Sequence, residues 1–165
     1  MKRLLAPIVA ISLGLILSGC LTAEQMDDVN AQVRMTPEQL KILQTKVYNI
    51  TDCTKLMKAT VTAFQSIGYQ IKNTDSAMGI VTAEISEDHG ETRPFALMGT
   101  GLYHSHSIYQ ATANISSLGN SCQIILTVNE NRYNQKGSVM DVQPIKSPKF
   151  YGDFFAKITQ ELQGK

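Results

Sequence analysis

The sequence predicts a two-layer α+β domain, with an antiparallel sheet of about four to five strands and two helices packed on one of its faces. Residues 53–67 and 148–162 repeat apolar side chains at three- and four-residue spacing, as amphipathic helices do. Residues 109–116 and 122–129 alternate apolar and polar side chains, as half-buried strands do. Because each of these elements has one apolar face, we expect the helices and the sheet to pack against each other.

Capping residues place the first elements. Thr36 followed by Pro37 is typical of a helix start and predicts a short helix before the first strand. Residues 46–50 alternate in the manner of a strand, and Thr51 and Asp52 can each cap the long helix that follows. The first part of the domain is therefore expected to run helix, strand, helix.

A glycine and two turns divide the next part of the chain. Gly68 predicts the end of the long helix, because glycine readily adopts the left-handed conformation found there. Residues 69–72 and 79–85 are the next predicted strands, with a polar turn at residues 73–76. The two alternating strands beyond them form a predicted hairpin whose turn lies at residues 118–120.

The remaining segments are an aperiodic stretch, an edge strand and the last helix. Residues 86–106 have no clear periodicity and are expected to form a long loop. After a turn at Gly137, residues 139–142 favour an edge strand. Ser147 and Pro148 then predict the start of the C-terminal helix.

Charge and hydropathy exclude several classes of partner. The chain of 165 residues carries 15 basic and 14 acidic side chains, so it has no basic excess for binding nucleic acid. Beyond its N-terminal region it has no apolar run of the roughly 20 residues that span a bilayer. We therefore expect the chain beyond its N-terminal region to be a water-soluble domain that does not bind nucleic acid.

The N-terminus has the pattern of an export signal. Lys2 and Arg3 precede an apolar run that ends at Leu17, and the small residues Ser18 and Gly19 come directly before a cysteine. The run from residue 17 to that cysteine, Leu-Ser-Gly-Cys, resembles the lipobox of bacterial lipoproteins. The resemblance implies cleavage after residue 19 and acylation of the new N-terminal residue.

That residue, Cys20, is the predicted lipid anchor, and it is followed by Leu21. In Gram-negative lipoproteins an aspartate at this second position tends to retain the protein at the inner membrane, so the resemblance favours a periplasm-facing location on the outer membrane. The predicted organisation is a signal peptide over residues 1–19, a lipidated N-terminus with tether and short helix over 20–44, and the α+β domain over 45–165.

Two further cysteines, Cys53 and Cys122, leave two interpretations open. In an oxidising periplasm the pair is a candidate disulfide. The alternative is a pair of buried free thiols, which are common in protein cores. The spacing alone does not decide between them, because it does not bring two Cα atoms within bonding range.

The order of elements resembles a group of known envelope proteins. The residues that carry the resemblance are Thr51-Asp52, Gly68-Tyr69, Asp75 with Gly79-Ile80-Val81, and the aromatic pattern from Phe150 to Phe155. They resemble small outer-membrane lipoproteins of Gram-negative bacteria with poorly defined roles, and the topology is similar to the helix-grip domains of BamC-type lipoproteins. The resemblance covers about residues 45–163. It implies fold and location, and it carries over no catalytic residue.

Candidate catalytic and metal-binding residues are few. His104 and His106, with His89 nearby, are the one cluster that suggests a metal, but no third ligand follows at a recognised spacing. We therefore interpret them as a histidine pair in a loop and predict no metal and no cofactor. The chain lacks the motifs of serine hydrolases, metalloproteases and phosphate-binding loops, so the prediction is a protein that is not an enzyme.

An apolar segment inside the 86–106 stretch is the candidate partner-binding loop. It is unusually long and apolar for a connection in a small domain. One interpretation is that it folds over the end of the sheet, and the other is that it docks on another envelope protein. Its candidate contact residues are Phe95, Leu97, Met98, Leu102 and Tyr103.

Together these patterns predict a lipid-anchored accessory or structural subunit of an outer-membrane-associated complex, of assembly or secretion type. Its expected partners are the membrane, through its acylated cysteine, and other envelope proteins. The alternative from a different class is a periplasmic small-ligand binding module or small enzyme that uses the groove between helices and sheet.

Overall fold

The structure is a computed structural model and describes residues 35–88 and 104–164. Three helices and six strands lie in these two ranges and form two layers, so the predicted α+β class is confirmed. In chain order they are α1 (Pro37–Gln44), β1 (Thr45–Tyr48), α2 (Cys53–Ser66), β2 (Gln70–Asp75), β3 (Ile80–Asp88), β4 (His104–Ser117), β5 (Cys122–Asn134), β6 (Val139–Pro144) and α3 (Pro148–Leu162).

The described strands form one antiparallel sheet in the order β1-β5-β4-β3-β2. On the side of β5 away from β4, β1 pairs with residues 122–125 and β6 pairs with residues 129–133. These two short strands therefore lie end to end along one edge. The sheet has six described strands rather than the predicted four to five, since two strands share that edge.

Each helix begins where its capping residue predicted. The side chain of Asp52 accepts a hydrogen bond from the Thr54 amide at 3.0 Å, and that of Ser147 accepts one from the Phe150 amide at 3.3 Å. Thr36 forms a reciprocal capping box with Gln39 at the start of α1. These local bonds satisfy backbone amides that have no partner within their own helix.

The core lies between the sheet and helices α2 and α3. The ring centroids of Phe64 on α2 and Phe154 on α3 are 4.7 Å apart, and both side chains are fully buried. Alanines at three inward positions of β3 and β4 leave room for these rings. The buried inward residues of the central strands are Val81, Ala83, Ala111, Ala113, Ile115, Cys122, Ile124, Leu126 and Val128.

Helix α1, which the sequence grouped with the tether, packs on this body. The Gln44 amide nitrogen lies 3.3 Å from the Tyr151 hydroxyl oxygen, and that hydroxyl donates to the Ile145 carbonyl at 3.1 Å. Leu43 packs against the edge of the core. One buried phenol thus links α1, the segment after β6 and α3.

One predicted turn and one predicted loop are shorter than expected, because the strands beside them are longer. Strand β2 continues to Asp75, whereas a turn was predicted over residues 73–76. Residues 86–106 were predicted to be a loop, but β3 extends to Asp88 and β4 begins at His104. The prediction failed because backbone pairing, such as Glu87 opposite Ser107, continues where side-chain alternation has ended.

Gly79 is required where β3 begins. Its φ is +69°, and its carbonyl accepts a hydrogen bond from the Ile115 amide at 2.8 Å. A Cβ atom at this position would collide with the Ile115 carbonyl oxygen. Gly137 has a similar φ of +75° with open space around it, so the two glycines separate a backbone effect from a packing effect.

We predict that Gly79→Ala destabilises the protein more than Gly137→Ala. Both alanines meet the cost of a left-handed conformation, about 1–2 kcal/mol. Only the first must also displace the β4 backbone, and overpacking of this kind adds about 1–3 kcal/mol. Urea denaturation of the two variants measures the difference, and equal losses of unfolding free energy would contradict the collision.

Three buried tyrosines make the stability of the folded protein depend on pH in the alkaline range. Burial raises the pKa of Tyr48, Tyr69 and Tyr151 above the ordinary value, because the ionised phenolate is poorly solvated inside the protein. These tyrosine hydroxyls therefore ionise at a lower pH in the unfolded chain than in the folded protein. Stability is therefore complete below the unfolded pKa of about 10 and falls as pH rises above it.

We predict that Tyr151→Phe flattens this alkaline loss. Removal of one such phenol reduces the slope of unfolding free energy against pH by up to about 1.4 kcal/mol for each pH unit. The hydrogen bonds it loses lower stability at neutral pH as well, so the slope above pH 10 is the informative quantity. Parallel stability curves for the variant and the wild type from pH 7 to 11 would contradict the prediction.

Candidate functional site

Several predicted site residues lie outside the described residues. Cys20, the predicted anchor, is one of them, as is His89. The others are the five contact residues of the candidate partner-binding loop, Phe95, Leu97, Met98, Leu102 and Tyr103. Their roles stay predictions.

Cys53 and Cys122 are joined by a disulfide bond. Their Cα atoms are 5.6 Å apart, and 69 positions of sequence separate them. Cys53 is the first residue of α2 and Cys122 is the first residue of β5, so the bond ties the start of a helix to the sheet. The Cys122 side chain is fully buried, whereas Cys53 is half-buried near the surface.

The groove between helices and sheet is filled by side chains. Leu56, Phe64, Tyr151 and Ile158 are fully buried in it. Within the described ranges, every buried polar side-chain atom has a hydrogen-bond partner. These side chains occupy the centre of the groove, which the alternative binding-module hypothesis would need to be open.

Two surface depressions lie outside the packed core, and the second of them is at the end of the groove, where the start of α2 meets the ends of β3 and β4. One, of about 220 Å³, is on the open face of the sheet beside Lys72, Glu84 and Gln110. The Lys72 ammonium is 3.1 Å from Glu84, which also accepts a hydrogen bond from Gln110 at 3.0 Å. The other, of about 340 Å³, is beside Met57 and Met78. The polar groups of the first depression thus bond to one another.

His104 and His106 lie on β4 and not in a loop, as β4 begins at His104. The imidazole of His106 stacks on the ring of Tyr133, with centroids 4.9 Å apart and planes 3° from parallel. In residues 35–88 and 104–164, no three histidine, cysteine, aspartate or glutamate side chains are grouped closely enough to hold a metal ion. His106 thus makes an aromatic contact with the neighbouring strand.

A partly buried ion pair lies on β5, and the sequence patterns did not predict it. Glu130 is 7% exposed, and its carboxylate accepts bonds from Arg132 Nε and Nη2, each at 3.0 Å. The Ser107 hydroxyl, on neighbouring β4, donates to the same carboxylate at 2.7 Å. Opposite charges two residues apart on a strand share one face, and that spacing was the available signal. The bidentate geometry holds both side chains in place.

Strand β6 presents an open edge. All six of its residues are exposed, including the apolar side chains of Val139 (53%), Met140 (45%) and Val142 (55%). Its described pairing partner is β5. No helix in the described ranges is long and apolar enough to cross a membrane. The most apolar exposed surface of a described strand is thus at this edge.

Comparison with known proteins yields structural similarity alone. No family model and no curated protein matches the chain. A DUF4468 family protein from Bacteroides ovatus is similar with a TM-score of 0.40 and 10% identity, over 73% of this chain and 85% of that one. A TBP-like protein from Parabacteroides distasonis has a TM-score of 0.39 and 13% identity, over 73% and 91%. Similarity at this level carries no argument about function.

We predict that loss of the Cys53–Cys122 disulfide costs about 4 kcal/mol of unfolding free energy, because the bond closes a loop of about 70 residues in the unfolded chain. Cys53→Ser and reduction of the wild type should each lower the midpoint of urea denaturation. The reductant should leave the midpoint of Cys53→Ser unchanged, which serves as the control. A wild-type midpoint insensitive to reductant would contradict the prediction.

Proposed function

We propose that this protein is a lipid-anchored, periplasm-facing envelope protein. In this proposal it acts as a non-enzymatic accessory or structural subunit of an outer-membrane-associated complex, of assembly or secretion type. Residues 1–19 direct export, the acylated Cys20 holds the chain on the membrane, and the α+β domain presents its surface to protein partners.

The Cys53–Cys122 disulfide is the observation that carries the proposal. Structural disulfides form and persist in oxidising compartments such as the periplasm, and they are rare in the cytosol. This bond joins a helix to β5, an interior strand of the sheet, so it stabilises the fold as a whole. An export signal before the domain and an oxidised pair within it are consistent with the same destination.

The distribution of polar and apolar side chains supports a docking role. The interior between the helices and the sheet is filled, and the buried polar groups of the described residues are paired. Apolar side chains remain exposed along β6. A domain with a filled interior and an exposed strand edge is suited to binding other proteins through its surface.

We expect Cys20→Ser to remove the protein from the outer-membrane fraction, because the acyl chains are then not attached. Fractionation of cells that express each form measures this, and mass spectrometry of the wild type should find an acylated N-terminal cysteine. Ser18→Ala is the matched control, since it keeps a small side chain before the cleavage site.

Two results would overturn the proposal. One is an unmodified residue 20 on mature wild-type protein with an unchanged location in Cys20→Ser. The other is recovery of the anchored wild type as a free monomer after mild crosslinking in cells. Envelope proteins crosslinked to the wild type and lost from Cys20→Ser would support it.

A further inference from the structure

The open edge of β6 has a defined hydrogen-bonding pattern. The Ile145 amide donates to the Val128 carbonyl at 2.9 Å, so these two residues are a hydrogen-bonded pair. Bonded and non-bonded pairs alternate along an antiparallel ladder. Asp141, opposite Arg132, is therefore in a bonded pair, whereas Val142, opposite Asn131, is not. The N–H and C=O groups of Val142 point away from β5 and form the open edge.

Asp141 covers the donor of this edge. Its Oδ1 atom accepts a hydrogen bond from the Val142 amide at 2.9 Å, and its Oδ2 atom accepts one from the Gln143 side chain at 2.6 Å. A side chain that occupies an edge amide prevents an incoming strand from using it. An incoming strand can therefore use the Val142 amide only if one of its own groups binds the Asp141 carboxylate in place of that amide.

The charge of Asp141 is exposed and is the only charge on β6. Arg132 lies opposite it on β5, but the guanidinium of Arg132 binds Glu130. Among the described residues, the ion pairs use Glu84, Glu130 and Asp153. Within residues 35–88 and 104–164, the carboxylate of Asp141 thus has no ion pair with a cation.

A second copy of the chain is a poor occupant of this edge. In an antiparallel β6–β6 pair centred on Asp141, two carboxylates would lie directly opposite in a non-bonded pair, where Cα atoms are only about 4.5 Å apart. In a pair centred on Val142, each Asp141 carboxylate would lose its hydrogen bond from the Val142 amide, and no basic side chain of the second copy would replace it. Both registers are opposed by Asp141.

We propose that the β6 edge binds an extended segment of a partner protein in which a lysine or arginine lies between two apolar residues. The basic side chain lies opposite Asp141 and draws its carboxylate away from the Val142 amide. That amide then donates to the backbone of the incoming strand, and one apolar residue of that strand covers Val142. The other lies beside Met140, which the register shift between Arg132 and Tyr133 leaves without a partner on β5. Asp141 thereby makes strand addition selective for a basic partner.

This inference deepens the proposed docking role and rests on it for its biological setting. Binding to the edge is measured on the purified full chain in detergent, without reference to location in the cell. A failure of strand addition and a failure of the anchor are therefore distinguishable.

The test uses two capped nine-residue peptides of alternating threonine and valine. One has lysine at its centre between two valines, and the other has glutamate there. Fluorescence anisotropy should show tighter binding of the lysine peptide to the wild type, on the order of fivefold, as expected for opposite against like cross-strand charges. Asp141→Lys should reverse this order. Asp153→Lys, on the exposed surface of α3, should leave it unchanged.

Two further variants separate the charge from the hydrogen bond. Asp141→Asn keeps an oxygen acceptor for the amide but should bind both peptides alike. Val142→Pro removes the outward N–H without removing a bond to β5, and should weaken both peptides. Circular dichroism establishes that each variant is folded.

The inference is overturned if neither peptide binds the wild type at millimolar concentration or if both bind it equally. It is also overturned if Asp141→Lys keeps the wild-type preference. Sedimentation provides an independent check, because a wild-type dimer that Val142→Pro dissociates would assign the edge to a second copy.

Discussion

The antiparallel pairing of β5 is the interaction on which the rest of the structure depends. This strand pairs with β4 along nearly its whole length on one side, and with β1 and β6 on the other. Its inward side chains are fully buried from Cys122 to Val128, and the disulfide joins its first residue to α2. A shift of β5 by one residue would turn these side chains to the open face of the sheet. It would also move Cys122 out of bonding range of Cys53.

Because β5 fixes the sheet, it also decides which surfaces stay open. Helices α2 and α3 cover the inward face and fill the space above it with aromatic side chains such as Phe64 and Phe154. On the opposite face, Lys72 and Gln110 both bond to Glu84. Among the described strands, β6 has the largest group of exposed apolar side chains, Val139, Met140 and Val142, and Val47 on β1 is also exposed.

Much of the fold could be predicted because its signals are local. Asp52 and Ser147 cap their helices through amides two and three residues away, and the apolar stripes of both helices recur at helical spacing. The extension of β3 and β4 into the 86–106 stretch was not predictable in the same way. There the backbones of two segments distant in sequence pair, and the side chains do not alternate between apolar and polar in a way that would predict this pairing.

The sequence by itself determined the class of the fold, the helix starts and the pattern of an export signal, since each depends on neighbouring residues in the chain. Only the tertiary structure decided that Cys53 meets Cys122, that the Ser107 hydroxyl bonds to Glu130, and that Asp141 covers the open edge of β6. These features depend on distances between segments far apart in sequence or on which side of a strand is already paired. Such distances are set by the register of the sheet, which a linear pattern of residues does not contain.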